Sequence, residues 1–406
     1  MTDKIRSPQA TLIPFISAEE AATMAYPPDA LPGARDIDTF YGAMRVYEWG
    51  PADGEKVLFV HGDATPCLIF SNIAQGLVDA GHRVMLFDLW GRGYSDTPLY
   101  CRHDVRLFAS QMLLALMSSP LSWMGNGTNL SIIAFSLGGP ISLAFAGAYP
   151  SSIRSLVLLG PAGLLRNLPD GYDDQLMHQP ELAPSRESIR EKVRQMLGVA
   201  PFGPALDIQL DQRRVVPVET SPSRVEKSFN MQGILQWQFD HHRGHIHSFQ
   251  DTSRYGPLQN EDSWRKVCDI ITGRTRSDTA LCNSKLLVFF GRDDGVVVGE
   301  ETTEDILKLL PPSHLQIEYL PGGHGFPYPN SLIDKGASAG APMGPVGTNR
   351  LCAALALSHQ PQLLAWSVDV LLFPTCYCPA REVYIQYPCT RSSSLICIVV
   401  EVVRIF

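Results

Sequence analysis

Residues 130–140 read Leu-Ser-Ile-Ile-Ala-Phe-Ser-Leu-Gly-Gly-Pro, and this stretch decides the fold. An apolar run rich in β-branched residues ends at Ser136, and two glycines and a helical pattern follow. This order predicts a strand, a tight turn and a helix, with the serine hydroxyl raised above the sheet at the apex of the turn. The alternative is a serine in an ordinary Gly-Gly turn, so the rest of the chain has to distinguish the two.

Such a turn needs small neighbours, because the strand and helix backbones approach closely there. Ala134 and Gly138 occupy the two positions concerned. Glycine is usual at the first of them, and we expect alanine to be tolerated.

The composition is that of a globular protein of 406 residues, with 45% hydrophobic and 18% charged residues. A formal net charge of −8 argues against nucleic acid or an anionic membrane surface as a partner. Residues 1–17 contain no continuous apolar segment of the kind found in signal peptides, and no uninterrupted run of 18 apolar residues occurs. We therefore expect a cytoplasmic protein without a membrane span, whose oligomeric state the sequence leaves open.

Strand and helix patterns alternate through residues 57–160. The rhythm stops over residues 164–284, which look helical and loop-like, and it resumes as strand, helix and strand over residues 285–320. Alternation of this kind predicts an α/β fold with a doubly wound, mostly parallel sheet. The interruption predicts a helical cap inserted over the carboxyl edge of the sheet, where ligands bind in such folds.

The predicted organisation has four parts. Residues 1–35 form an irregular leader, residues 36–163 and 285–335 form the core, and residues 164–284 form the cap. Residues 336–406 are rich in Cys, Ser and Pro without a sustained period, and we expect this tail to be poorly ordered. Our hypothesis is that a frameshift or read-through of non-coding sequence produced the tail. An uninterrupted transcript through codon 406 would refute that origin.

Nucleophilic chemistry at Ser136 needs a base and a carboxylate that orients it. Asp294 follows the predicted strand 285–290 and is our choice for the carboxylate, with Asp293 as second choice. His324 follows the predicted strand 315–320 and is our choice for the base. Both follow strands that end at the same sheet edge as Ser136, in the chain order Ser, Asp, His.

The reaction also needs backbone donors for the developing oxyanion. One is expected to be the amide of Leu137, directly after the serine, and the other the amide of Asp63 in the loop after the first buried strand. We interpret His61, in the same loop, as a structural residue.

Several motifs together resemble those of the α/β-hydrolase superfamily, and within it fungal hydrolases of the serine aminopeptidase-like or valacyclovir-hydrolase-like type. The resemblance covers about residues 36–330 and is carried by Tyr47-Glu48-Trp49-Gly50-Pro51, Val60-His61-Gly62, Phe87-Asp88-Leu89-Trp90-Gly91-Arg92-Gly93-Tyr94-Ser95-Asp96, Phe135-Ser136-Leu137-Gly138-Gly139, Gly160-Pro161-Ala162-Gly163-Leu164 and Gln236-Trp237-Gln238-Phe239-Asp240-His241-His242. It implies the α/β-hydrolase fold with a triad of Ser136, Asp294 and His324. One departure matters: a helix that closes the domain normally follows the histidine, and here the pattern is lost from Gly336 onward.

Four aromatic residues are expected to line an apolar substrate pocket: Phe135, Trp237, Phe239 and Phe326. For the aromatic residues of the cap, packing into the cap's own core is the competing interpretation. A histidine cluster in the same segment, His241, His242, His245 and His247, invites a metal-site interpretation. Gly244 and the lack of a nearby cysteine argue against it, and the single residue between Cys376 and Cys378 is not zinc-knuckle spacing. We expect neither metal nor cofactor.

The sequence therefore predicts a serine hydrolase that cleaves an ester, thioester or small amide of a small, largely apolar substrate. Two alternatives stay open. One is other chemistry on the same triad, such as C–C bond hydrolysis or a lyase reaction, and the other is a catalytically weak or non-catalytic small-molecule binder. Dehalogenase and epoxide-hydrolase chemistry is disfavoured, because those enzymes carry a carboxylate at the position of Ser136.

Overall fold

The structure, a computed structural model, describes residues 3–125, 127–172, 175–178, 186–199, 229–275 and 278–328. These residues form a central sheet of eight strands: β2 (Arg35–Thr39), β3 (Gly42–Trp49), β4 (Lys56–Val60), β5 (Arg83–Phe87), β7 (Leu130–Phe135), β8 (Ile153–Leu159), β9 (Leu286–Gly291) and β10 (Leu315–Leu320). Their order across the sheet is β10-β9-β8-β7-β4-β5-β3-β2. All neighbours pair in parallel except β2–β3 and β3–β5. This sheet confirms the predicted doubly wound, mostly parallel fold.

Side chains alternate between the two faces of the sheet along each strand, as the pleat requires. Leu58 and Val60 of β4 join an apolar core that also contains residues of α4 (Val105–Met117), α5 (Gly138–Ala148) and α11 (Gly299–Leu309). The alternate residues of the same strand, Val57 and Phe59, join a second core on the opposite face, with residues of α3 (Ser71–Asp79). Because helices cover both faces of the sheet, residues on both sides of a strand are buried. This explains why the strands are continuous apolar runs in the sequence.

The N-terminal segment differs from the irregular leader that the sequence suggested. It contains β1 (Lys4–Ile5), which pairs with β6 (Thr97–Pro98), and the short helices α1 (Pro8–Thr11) and α2 (Ala18–Thr23). The side chain of Ser17 accepts a hydrogen bond from the amide of Glu20, and the Glu20 carboxylate accepts one from the amide of Ser17. This reciprocal pair is a capping box, whose Ser-x-x-Glu spacing was readable in the sequence.

In the described parts of the segment between β8 and β9 lie the helices α6 (Gln175–His178), α7 (Arg186–Met196), α8 (Met231–His241), α9 (His245–Tyr255) and α10 (Glu261–Ile271). A small apolar core joins α6 to α9, with Met177, Ile189, Val193, Leu235 and Phe249 among its members. In contrast, α10 places Trp264 and Val267 in the main core together with residues of α5. The predicted 164–284 insertion therefore differs from the structure at its end, because α10 belongs to the helix layer on the sheet.

The predicted tail, residues 336–406, and Cys376 and Cys378 within it lie outside the described residues, as do the last seven residues of the predicted core. Across the described ranges, no helix combines the length and the apolar character needed to span a membrane.

Candidate active site

Ser136 lies in a sharp turn between β7 and α5, and its φ of 52° is in the left-handed region. Its amide donates to the Leu159 carbonyl at 3.0 Å, and its own carbonyl accepts from the amides of Gly139 at 2.9 Å and Ala162 at 3.0 Å. A non-glycine residue in this region costs about 1–3 kcal/mol and persists only where its surroundings enforce it. These three hydrogen bonds to neighbouring segments enforce it here.

The position after the turn has room for glycine only. A Cβ at residue 138 would lie 2.2 Å from the Val60 carbonyl oxygen, so α5 approaches β4 at backbone contact distance. Two residues before the serine, Ala134 is fully buried and packs in the same apolar core as α5, where its methyl group is accommodated.

Asp294 and His324 lie beside Ser136. The Nδ1 atom of His324 is 2.8 Å from Oδ2 of Asp294, and its Nε2 atom is 2.9 Å from Oγ of Ser136. The loops that carry these residues approach closely, because a Cβ at Gly291 would lie 2.5 Å from the Gly322 carbonyl oxygen. Asp293, the second choice from the sequence, is exposed, whereas Asp294 is buried.

The hydrogen bonds determine which nitrogen of neutral His324 carries the proton. A carboxylate only accepts, so Nδ1 donates to Asp294 and Nε2 keeps its lone pair toward the hydroxyl of Ser136. The arrangement can therefore accept a proton from Ser136. The other oxygen of Asp294, Oδ1, accepts from the amides of Val296 at 2.9 Å and Val297 at 2.8 Å, which fixes the carboxylate plane.

The loop after β4 lies against the serine, since a Cβ at Gly62 would be 3.1 Å from Cβ of Ser136. His61 is fully buried; its Nε2 accepts from the Leu89 amide at 2.8 Å, so its Nδ1 donates to the Gly62 carbonyl at 2.8 Å. In a trans peptide the carbonyl and the following N–H point in opposite directions. His61 therefore fixes the direction of the Asp63 amide, and its interpretation as a structural residue fits these contacts.

The two amides expected at the oxyanion site, those of Leu137 and Asp63, donate to no acceptor in the part of the chain that the structure describes. The Leu137 amide immediately precedes the first turn of α5, where backbone donors are normally unpaired. Neither amide therefore has an acceptor among the described residues that a bound oxygen would have to displace.

Burial keeps His61 neutral. It lowers the pKa of the imidazole to about 3; the bond to Gly62 opposes this shift and the charge of Arg92 adds to it. A neutral imidazole retains the lone pair that the Leu89 amide needs.

The side chain of Asp63 forms a buried ion pair with Arg92. Tyr172 donates to the same carboxylate at 3.2 Å. Burial raises the pKa of the Asp63 carboxyl and lowers the pKa of the Arg92 guanidinium, and the attraction between the two groups opposes both shifts. Sequence reasoning missed Arg92, because Gly91-Arg92-Gly93 reads only as a turn.

Three of the four aromatic residues expected in the pocket, Phe135, Trp237 and Phe326, belong to one apolar core. Phe135 has its ring centroid 4.9 Å from that of His324, and Phe326 lies near the triad, 3.4 Å from a Cβ built at Gly160. Trp237 also packs on Tyr26, with ring centroids 5.3 Å apart.

Phe239 lies in the separate core of α6 to α9, which corrects its placement in a shared pocket with Trp237. Residues two apart on a helix point to different faces, which is the physical reason for the separation. Tyr328, which the sequence analysis did not single out, has its ring 5.7 Å from that of Phe135.

Two of the four clustered histidines, His242 directly after α8 and His245 in α9, contact backbone carbonyls. His242 Nε2 lies 2.8 Å from the Ser95 carbonyl oxygen, and His245 Nδ1 lies 3.1 Å from the Gly91 carbonyl oxygen. Within the described ranges, no three side chains of His, Cys, Asp or Glu are grouped so that they could hold a metal ion.

Comparison with known proteins adds three findings. A model of the alpha/beta hydrolase fold matches residues 56–330. A serine hydrolase-like protein of Danio rerio is 28% identical over 171 residues, which are 39% of this chain and 50% of that protein. Lipase 1 of Psychrobacter immobilis is 34% identical over 123 residues, 30% of this chain and 37% of that protein. The chain thus spans half, or less, of the length of these relatives.

Among solved structures, the haloalkane dehalogenase DpaA of Paraglaciecola agarilytica is similar, with a TM-score of 0.52 at 14% identity. The likeness covers 80% of this chain and 94% of the dehalogenase. At this identity the likeness concerns the fold alone.

Proposed function

The chain belongs to the alpha/beta hydrolase fold family, and from that premise we propose that it is a serine hydrolase cleaving an ester, thioester or small amide of a small, largely apolar substrate. The observation that carries the proposal is the continuous hydrogen-bonded chain from Ser136 Oγ through His324 to Asp294. A small amide is included among the proposed substrates because the sequence motifs resemble those of serine aminopeptidase-like and valacyclovir-hydrolase-like enzymes.

In the first half-reaction Ser136 Oγ attacks the substrate carbonyl carbon while its proton passes to Nε2 of His324. Asp294 stabilises the imidazolium that forms. The amides of Leu137 and Asp63 receive the negative oxygen of the tetrahedral intermediate. When the intermediate collapses, the alcohol, thiol or amine leaves with the proton from His324, and an acyl group stays on Ser136.

In the second half-reaction water attacks the acyl group, and His324 accepts the proton of the water. Collapse then releases the carboxylic acid, and Ser136 recovers its proton. No metal or cofactor takes part in these steps.

The surroundings of the serine favour an apolar substrate. Phe135 and Phe326 are buried beside the triad, and Tyr328 packs against Phe135. We propose these three aromatic side chains as the apolar wall, and Trp237 of helix α8, which shares their apolar core, as part of a roof above it. Of the four residues first expected in the pocket, only Phe239 is left out of this proposal, because it lies in a separate core.

The residue at position 136 also argues against the reaction of the structurally similar dehalogenase. Dehalogenases attack carbon–halogen bonds with a carboxylate, whereas this chain has a serine hydroxyl hydrogen-bonded to a histidine. Acyl transfer uses that pair directly.

Trapping the acyl-enzyme tests the proposal. We expect brief incubation with p-nitrophenyl acetate, followed by acid quench and peptide mass spectrometry, to find one acetyl group on the peptide that contains Ser136. The Ser136→Ala variant should carry none and should lose hydrolysis. Acetylation elsewhere, with hydrolysis intact in Ser136→Ala, would contradict the proposal.

A further inference from the structure

Arg92 is fully buried in the loop after β5, and every N–H of its guanidinium has an acceptor. Nε donates to the Asp63 carbonyl at 2.8 Å, and Nη1 donates to the Trp90 carbonyl at 2.7 Å and to the hydroxyl of Ser248. Nη2 donates to the Asp63 carboxylate and to the hydroxyl of Thr252 at 3.1 Å. Since arginine has five N–H groups, no donor remains for a ligand, and the side chain joins three segments of the chain.

A buried ion pair of this kind is weak evidence for a contribution to stability. Removing two charges from water costs several kcal/mol for each ion, and apolar residues of similar volume often serve the fold as well. The contacts of Arg92 suggest a more specific role, because two of its five hydrogen bonds go to Asp63.

Three successive carbonyls around the Asp63 amide are held by three different buried side chains. The Gly62 carbonyl accepts from His61 at 2.8 Å, the Asp63 carbonyl accepts from Arg92 at 2.8 Å, and the Ala64 carbonyl accepts from Gln238 at 2.7 Å. The peptide planes on both sides of Asp63 are therefore held in place, and this fixes the φ and ψ angles of Asp63 as well. A loop without secondary structure has no other means of holding an amide in one direction.

The side chains that hold this loop also contact the helices between β8 and β9. Gln238 of α8 accepts from the Gly93 amide at 2.8 Å while it donates to Ala64. The hydroxyls of Ser248 and Thr252 in α9 accept hydrogen bonds from Nη1 and Nη2 of Arg92, respectively. The loop that carries Arg92 packs tightly against α9, because a Cβ at Gly91 would lie 2.2 Å from Cβ of Ser248.

We propose that Arg92 is a positioning residue for the oxyanion hole: it holds the Asp63 amide toward Ser136 and ties that direction to the position of helix α9. The inference rests on the proposed function, because only an acyl-transfer reaction develops an oxyanion at this place. A shift of α9 would therefore move the Asp63 amide, because the rigid, planar guanidinium of Arg92 connects the two. The consequence is that transition-state stabilisation, and not substrate binding, depends on Arg92.

The Arg92→Lys variant tests this role. Lysine retains the positive charge beside Asp63 but has a single nitrogen, so it cannot hold the Asp63 carbonyl, the Asp63 carboxylate and Thr252 together. The matched control is Arg45→Lys. Arg45 is 2% exposed and also makes five hydrogen bonds, to Asp36, Pro28, Tyr47 and Gln9, none of them in the 61–66 loop.

The measurements are kcat and KM for p-nitrophenyl acetate, the inhibition constant of a trifluoromethyl ketone, and the melting temperature. For Arg92→Lys we expect kcat and affinity for the ketone, which forms a tetrahedral oxyanion, to fall about ten- to a hundredfold, with KM within about threefold. Arg45→Lys should match its change in melting temperature and retain kcat. Equal kcat in the two variants, or a change confined to KM, would overturn the positioning role.

Thr252→Val is the second variant, in case Arg92→Lys does not fold. It removes only the α9 hydroxyl and is nearly isosteric. A several-fold fall in kcat is expected relative to Thr272→Val, which loses a hydroxyl that donates to the Cys268 carbonyl directly after α10. Unchanged kcat in Thr252→Val would overturn the coupling to α9. A wild-type protein that neither hydrolyses the ester nor reacts with a fluorophosphonate would refute the proposed function and this inference together, whereas an active wild type with equal variants refutes the inference alone.

Discussion

Asp294 and His324 are joined through a single oxygen of the carboxylate: Oδ2 of Asp294 lies 2.8 Å from Nδ1 of His324. Among the described residues, the other oxygen accepts from the amides of Val296 and Val297. This division of roles orients the imidazole and leaves the carboxylate no freedom to rotate, which makes the site sensitive to the loss of one oxygen.

Replacement of Asp294 by asparagine should lower kcat by roughly a thousandfold or more. If the asparagine oxygen keeps the two amides, its NH₂ group faces Nδ1 of His324, so the imidazole must place its proton on Nε2 and can no longer accept one from Ser136. Steady-state kinetics on an ester substrate measures the loss. Asp293→Asn, one residue away and exposed, is the matched control and should retain activity; equal losses in both variants would count against the assignment.

Replacement of Gly138 by alanine should damage both stability and activity. The added methyl group meets the Val60 carbonyl oxygen at 2.2 Å, and the elbow must shift to make room. We expect a loss of about 1–3 kcal/mol in the free energy of unfolding, measured by urea denaturation. Gly233→Ala in α8 has its nearest neighbour at 3.5 Å and should be neutral or stabilising, so similar losses in the two variants would show that the contact with Val60 is unimportant.

Stability should fall as the pH drops below about 6.5, the usual pKa of histidine. Burial lowers the pKa of His61 and of His103 to about 3 and that of His242 to about 4, and it lowers the pKa of His245 well below its usual value; the nearby positive charge of Arg92 contributes to each shift. Between these values and pH 6.5 the unfolded chain binds more protons than the folded chain, so acid favours unfolding. Each histidine contributes at most about 1.4 kcal/mol per pH unit.

Urea denaturation at several pH values between 7.5 and 5 measures this dependence. His242→Gln should make it shallower, because glutamine can donate to the Ser95 carbonyl without a proton to gain. Stability that is flat over this range in the wild-type protein is the contrary result.

Replacement of Tyr26 by phenylalanine should destabilise the protein by about 1–3 kcal/mol. The Tyr26 hydroxyl is fully buried and donates to the Asp88 carboxylate at 2.9 Å, so its loss removes one partner of a buried charge. Thermal or urea unfolding reports the change. Tyr149→Phe, at a residue that is 40% exposed, is the control. A Tyr26→Phe variant as stable as this control would show that the hydrogen bond to Asp88 does not stabilise the fold.

The features that were readable in the sequence are those with a local cause. Ser136 follows an apolar strand and precedes glycines, and Asp294 and His324 each follow a strand that ends at the same edge of a parallel sheet. Strand order and backbone direction suffice to bring such residues together, and the structure joins them at hydrogen-bond distance across 188 residues. The doubly wound fold was predicted for the same reason.

The features that were missed depend on contacts between distant segments. Arg92 meets Thr252, which is 160 residues away, and Gln238 meets Ala64, which is 174 residues away. Both residues lie in motifs that carry the family resemblance, but the sequence does not show which distant segment either side chain contacts. The placement of Phe239 in one pocket with Phe135, Trp237 and Phe326 was wrong for a simpler reason. Residues two apart on a helix lie on different faces, so Phe239 and Trp237 could not both face the same pocket.

Labelling with a fluorophosphonate probe tests the central claim most directly, because the probe reacts with a serine only when its hydroxyl is activated. The measurement compares wild type with Ser136→Ala and His324→Ala, each shown to be folded by circular dichroism. Our account predicts stoichiometric labelling of Ser136 in the wild type, none in Ser136→Ala, and a rate lower by at least about a hundredfold in His324→Ala. Folded wild-type protein that stays unlabelled, or labelling that survives in Ser136→Ala, would contradict it.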